Sequence, residues 1–181
     1  MNLLWPAIAL CQSAIAQTVA GITFPDRIQI NESALVLNGA GLREKYWIDI
    51  YVAALYLPKA SAVPQAIIEQ NTPKRIQLQF IYPRVTKSQM IETLEENFAQ
   101  NPNISPETRQ AIQKCTGWME DFTTGDEIIF DYEPSSGTSI FVKGQKKGTI
   151  PGPDFMNAVY TIYLGPAPAS ENLKEALLGL D

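Results

Sequence analysis

The sequence predicts a single α+β domain in which an antiparallel sheet is backed by helices on one face. Two stretches, residues 75–82 and 127–133, alternate apolar and polar side chains with the period of a half-buried strand. Two others, residues 87–100 and the stretch opening at Ser105, carry apolar side chains at helical spacing instead. Short turn signals divide these stretches, and no internal repeat, low-complexity tract or interdomain linker interrupts them.

Residues 1–16 contain no charged side chain, run apolar from Leu3 to Cys11, and end in Ala14-Ile15-Ala16, an A-x-A pattern followed by Gln17. The run is too short for a bilayer, which takes about 20 residues, and it fits the apolar region and cleavage site of a secretory signal. Residues 1–16 are therefore read as a signal peptide and residues 17–181 as the domain, periplasmic or secreted. A buried N-terminal strand or helix is the competing reading, since no Lys or Arg precedes the apolar run. Cys11 does not fit lipid attachment, because bulky Leu10 stands where a small residue is wanted.

Residues 32–38 form a short apolar strand that runs into Asn38-Gly39-Ala40-Gly41, read as a turn. Residues 46–57 are nearly all apolar with one charge, Asp49, the pattern of a central strand covered on both faces; Pro58 ends it. A short helix follows over residues 64–70. In residues 75–82, Ile76, Leu78, Phe80 and Tyr82 share one face. Met90, Ile91, Leu94 and Phe98 make the apolar stripe of the next helix. The helix after it opens with a side-chain cap, a first-turn proline and an acid (Ser105-Pro106-Glu107), and buries Ile112, Cys115, and Trp118 or Met119. Ile128, Phe130 and Tyr132 mark the strand 127–133, and Ser135-Ser136-Gly137 turns it into residues 138–143. A second turn over residues 144–147 leads into Gly148-Thr149-Ile150. Pro151-Gly152-Pro153-Asp154 starts a helix with Phe155, Ala158, Val159 and Ile162 buried, closed by Gly165, and a last helix covers residues 170–178.

Composition excludes several chemistries. The formal net charge of −5 resides wholly outside the leader and argues against nucleic acid and anionic membrane surfaces, which call for basic patches. Cys115 is the only cysteine beyond the leader, so stability comes from packing and not from a disulfide. The chain has no histidine, which removes Ser-His-Asp and Cys-His activation and the commonest metal ligand. No paired-cysteine metal motif and no glycine-rich phosphate loop is present, so neither metal nor cofactor is expected. Glu95-Glu96 and Asp126-Glu127 read as solvated surface. Asn31-Glu32-Ser33 and Asn103-Ile104-Ser105 match the glycosylation triplet, a pattern common by chance. Cys115, on an apolar helix face, reads as an inert small hydrophobe.

Two polar residues stand out. Arg43 lies between the glycine-rich segment and an apolar strand, a position for a cation at the mouth of an apolar cleft, where a guanidinium grips a carboxylate with two prongs. An exposed turn residue beside Glu44 is the plainer alternative. Asn97 follows Leu94 by three residues and Met90 by seven, on the apolar stripe of its helix. A buried amide must find partners, either nearby backbone or a ligand.

Asn38-Gly39-Ala40-Gly41-Leu42-Arg43 followed by Tyr51-Val52-Ala53-Ala54-Leu55-Tyr56-Leu57 resembles the front half of the chalcone isomerase family. Phe141-Val142-Lys143-Gly144, Gly148-Thr149-Ile150-Pro151-Gly152 and the helix ending in Gly165 are similar to its C-terminal part. The likeness spans nearly the whole domain and is greatest to the exported chalcone-isomerase-like proteins of bacteria. It implies an open-faced β-sandwich, a large antiparallel sheet backed by a layer of helices.

The resemblance also implies a site. Arg43 matches the arginine that steadies an anionic phenolate in the plant enzymes, and Asn97 matches their helix asparagine. Their strand threonine is replaced by Tyr51 and their helix tyrosine by Met90. The fatty-acid-binding branch of the family pairs the arginine with a tyrosine to hold a carboxylate, and Arg43 with Tyr51 looks like that pair. An unbroken strand would hold residues 43 and 51 about 26 Å apart. The chain must therefore turn or bulge between them, and Tyr56 is the alternative partner.

Two functions remain. The first is binding of a fatty-acid-like or other amphipathic anion in an apolar cleft, with Arg43, Tyr51, Tyr56, Met90 and Asn97 around it. The second is an isomerase (intramolecular lyase) that cyclises an enone, with Arg43 and Asn97 as its catalytic residues and Arg43 stabilising the developing oxyanion. Met90 cannot donate a hydrogen bond, so the second function needs another donor. The expected partner is a small amphipathic molecule, with no nucleic acid and no stable membrane insertion after leader removal.

Overall fold

A computed structural model describes residues 16–100 and 104–180. The leader reading lies outside the described residues except for Ala16, the first residue of β1. Strands β1 (Ala16–Val19) and β2 (Ile22–Pro25) form a small hairpin. Seven strands make the main sheet: β3 (Arg27–Ile30), β4 (Ser33–Lys45), β5 (Ile48–Leu57), β6 (Lys74–Phe80), β7 (Glu127–Glu133), β8 (Gly137–Val142) and β9 (Gln145–Ile150). They pair in chain order, each antiparallel to the next. The architecture is the expected α+β sheet with helices.

Helices are inserted into this meander without disturbing its order. Helix α1 (Pro64–Glu69) joins β5 to β6, and α2 (Lys87–Ala99) and α3 (Pro106–Gly117) join β6 to β7. After β9 come α4 (Asp154–Leu164) and α5 (Glu171–Leu177). Thr86 and Gln89 close a reciprocal capping box on α2, and Ser105 accepts the Thr108 N–H at 3.1 Å to start α3. Eight of the eleven α4 residues are buried, so this helix is apolar almost all round and lies in the middle of the helical layer, touching each of the other four helices. The stripe expected for it was narrower.

From Tyr51 to Leu57 strand β5 is buried on both faces, as its apolar run predicts; Tyr46 and Trp47, expected within the strand, instead form the exposed turn before it, and Ile48 and Asp49 are exposed as well. Tyr51, Ala53, Leu55 and Leu57 enter the large core beneath the helices. Val52, Ala54 and Tyr56 enter a smaller core with Phe24, Ile30 and Leu35, against which Val19 and Ile22 of the β1–β2 hairpin pack. Strands β1 to β3 have no counterpart among the expected elements. Their four-residue lengths are too short for periodicity to speak clearly.

One expectation is overturned. Asn38-Gly39-Ala40-Gly41 is not a turn but the middle of β4, with a register shift between Leu37 and Gly39. The glycines are there because α5 lies on them. A Cβ on Gly39 would come within 2.1 Å of the Ala176 carbonyl oxygen, and one on Gly41 within 2.4 Å of the Ala176 Cβ. Glycine here permits close approach of a helix. Two smaller differences follow from local geometry. The turn between β8 and β9 is tighter than expected and centres on Lys143 and Gly144, both with positive φ. Met119 is fully buried whereas Trp118 is only partly so, and its indole ring fills the space beside Gly148.

Candidate functional site

Alternation along a strand decides which β4 side chains meet the helices. Gly39, Gly41 and Arg43 share the inner face, opposite Leu55, Ala53 and Tyr51. The two glycines seat α5; beyond its end, the third position carries a half-buried guanidinium instead of a void. A second register shift, between Arg43 and Glu44, falls at this point. Bulges of this kind re-aim side chains beside functional sites.

Arg43 and Tyr51 line a cavity of about 330 Å³ between the sheet and α2. Tyr51 lies opposite Phe80 on β6, edge to face with ring centroids 5.8 Å apart, and Phe80 stacks on Phe122. The roof is α2, where Met90, Leu94 and Asn97 face the cavity from successive turns. Tyr163 of α4 completes it. At 330 Å³ the space is at the small end of ligand pockets, which run roughly 300–1,000 Å³.

The electrostatics favour an anion. Three cations and one acid, Glu92, line the cavity; of the cations, Lys45 lies 3.9 Å from Glu96 and Arg84 pairs with Asp121 at 3.1 Å. Arg43 has no acidic partner among the described residues; one of its guanidinium nitrogens donates to the Glu44 carbonyl. Burial raises the Tyr51 pKa, outweighing the positive field of Arg43 and the neighbouring Tyr163 hydroxyl. Burial likewise holds Tyr163 well above the ordinary tyrosine range, with Tyr51 beside it adding to the effect. Both phenols are therefore neutral at physiological pH and able to donate hydrogen bonds.

Of the residues singled out in the sequence, Arg43, Tyr51, Met90 and Asn97 come together here. The spacing problem disappears because the chain reverses: β4 and β5 are a hairpin, and Arg43 and Tyr51 are directly paired. Arg43 is accordingly not an exposed turn residue. Tyr56 is a correction. It is an odd number of residues from Tyr51, so it points to the opposite face, where its hydroxyl donates to the Pro25 carbonyl at 3.0 Å inside the smaller core. Tyr163 was missed, although it continues the Phe155 and Val159 row of α4 at helical spacing.

A family model described as chalcone isomerase-like matches residues 16–179. The chain belongs to the chalcone isomerase-like family. Among solved structures, a fatty-acid binding protein of Arabidopsis thaliana is similar with a TM-score of 0.71 at 18% identity, covering 91% of this chain and 95% of that one. At this identity the likeness is one of fold. No curated protein matches the sequence. The open-faced sandwich that the family implies is the observed architecture.

Proposed function

We propose that the domain binds a fatty-acid-like amphipathic anion, its head on Arg43 and its tail in the apolar cavity beneath α2. One observation carries this reading: a guanidinium without an acidic partner among the described residues faces an un-ionised Tyr51 across the strand pair, on the wall of a mainly apolar space. The planar guanidinium supplies two parallel donors and Tyr51 a third, a set that suits a carboxylate. Tyr163, and Asn97 on the roof, give further polar contacts. The fatty-acid binding neighbour of the same fold supports this choice of ligand class. The uncharged leader supports export, so the ligand is met in the periplasm or outside the cell.

Calorimetric titration of delipidated protein with a fatty acid and its methyl ester is the test. The acid should bind and the ester should bind much more weakly. Equal affinity for the two would remove the carboxylate anchor.

A second reading, cyclisation of an enone, is favoured by Tyr163. On this reading its hydroxyl would stand in for the donor that Met90 lacks, and Arg43 with Tyr51 and Tyr163 would stabilise an oxyanion as it develops.

A further inference from the structure

The hairpin joining β4 to β5 is closed by only two residues, Tyr46 and Trp47, between the paired Lys45 and Ile48. Both sit in the left-handed region, with φ of 52° and 66°. Two-residue hairpins of this form favour Asn-Gly, because a side chain is penalised at each position. Two large aromatics occupy them instead and are almost fully exposed, Tyr46 at 83% and Trp47 at 93%, with Ile48 at 43%. Apart from the Lys45 ammonium 5.9 Å from the centre of the Tyr46 ring, neither local conformation nor packing accounts for these residues, and such strained positions mark functional sites.

The tip adjoins the cavity, since Tyr46, Ile48 and the partly exposed Tyr82 line its outer part. Building on the binding function proposed above, we propose that Tyr46, Trp47 and Ile48 dock this mouth reversibly on a lipid surface, from which the amphipathic ligand enters. Tyr and Trp are the side chains that settle at the membrane–water boundary, with rings in the apolar layer and polar atoms in the headgroups. The surface is zwitterionic and not anionic. The tip itself carries no charge, the two acids Glu44 and Asp49 stand opposite each other just behind it, and Lys45 is engaged by Glu96. Docking is peripheral, as no helix among the described residues is long and apolar enough to cross a membrane.

Exported protein, freed of its apolar leader and with it Trp5, is floated with phosphatidylcholine vesicles and followed by tryptophan emission, the contribution of Trp118 being taken from Trp47→Tyr and subtracted. Binding with a blue shift, quenched by lipids brominated near the glycerol, is expected. Trp47→Ser should weaken co-flotation on the order of tenfold, the scale of one buried aromatic, and Trp47→Tyr should retain most of it. Fatty-acid titration without vesicles should be unchanged by Trp47→Ser. Vesicle binding that is absent, or that survives Trp47→Ser, overturns the proposal. So does self-association in solution that Trp47→Ser abolishes while lipid binding is unaffected. Protein that docks through Trp47 yet binds no free fatty acid supports the docking surface and sinks the cleft ligand.

Discussion

Arg43 and Tyr51 stand opposite each other on β4 and β5, the guanidinium and the phenol directed to the same side of the sheet. Cross-strand neighbours have Cβ atoms roughly 4.5–5.5 Å apart, close enough for both to touch one carboxylate. Arg43→Ala should weaken fatty-acid binding by about 10- to 150-fold, the range of a charge-assisted hydrogen bond. Arg43→Lys should recover part of the loss, because an ammonium lacks the planar fork. Tyr51→Phe should cost about 2- to 10-fold. Titration of all three variants with acid and ester separates the head contact from tail burial.

Chalcone cyclisation by this protein should be slow or absent. Met90 offers no hydrogen bond to order water, and the strand position next to Arg43 carries a phenol. The assay must follow stereochemistry as well as rate, because spontaneous cyclisation yields a racemate. A fast, single-enantiomer product that is lost in both Arg43→Ala and Tyr163→Phe would make the isomerase reading the better one.

Alkaline pH should unfold the protein. Burial raises Tyr56 from its ordinary value of 10.0 to about 12, and Cys115 from 9.0 to about 12. A group whose folded pKa is raised stabilises fully below its unfolded pKa, and that stability is lost as pH climbs to the folded value. Cys115 therefore acts from about pH 9 and Tyr56 from about pH 10, and Tyr51, Tyr160 and Tyr163 shift in the same direction. Lys74 opposes them. Burial lowers it from 10.5 to about 8, so the unfolded chain holds its proton longer and stability gains between those values. Denaturant midpoints between pH 7 and 12 should stay nearly level at first and then fall steeply above about pH 10. Thiol reagents should leave buried Cys115 untouched at neutral pH until the chain unfolds.

Gly39→Ala and Gly41→Ala should each destabilise the fold by about 1–3 kcal/mol or more, because the added methyl meets α5. Gly117→Ala is the control. Nothing lies within 4 Å of its Cβ position, and alanine suits a helix end better than glycine. Thermal or denaturant unfolding should rank the three variants in this way, and equal effects would disprove close helix contact as the reason for the strand glycines.

The uncharged N-terminal run predicts cleavage before Gln17. This would remove Ala16, the first residue of β1, and leave the other three to pair with β2. N-terminal sequencing of exported protein should begin at Gln17; an intact Met1 on soluble exported chains would refute the leader.

Much of the fold was legible in particular residues. The alternation of Ile76, Leu78 and Phe80, the stripe of Met90, Leu94 and Phe98, and the Ser105-Pro106 start each report a local geometry that the chain adopts with few alternatives. The two-sided burial of β5 from Tyr51 to Leu57 followed from the apolar character of that run. Asn38-Gly39-Ala40-Gly41 misled because glycine serves both turns and close contacts, and only the position of α5, more than a hundred residues later, separates the two. Arg43 and Asn97 were visible as polar residues in apolar settings. The family resemblance implied that Arg43 pairs with Tyr51, but the two-residue reversal that brings them together was not legible in the residues.

By itself, then, the sequence determined periodicity, capping, composition and the absence of histidine, since each is a property of neighbouring residues or of the whole count. Tertiary structure alone decided that β4 and β5 fold back at Tyr46 and Trp47. That reversal pairs Arg43 with Tyr51, sends Tyr56 to the opposite core, and brings Tyr163 under the same roof. Strand register is a long-range property. A shift of one residue exchanges the faces of every side chain, and what selects one register over the other is the burial of the entire sheet beneath its helices.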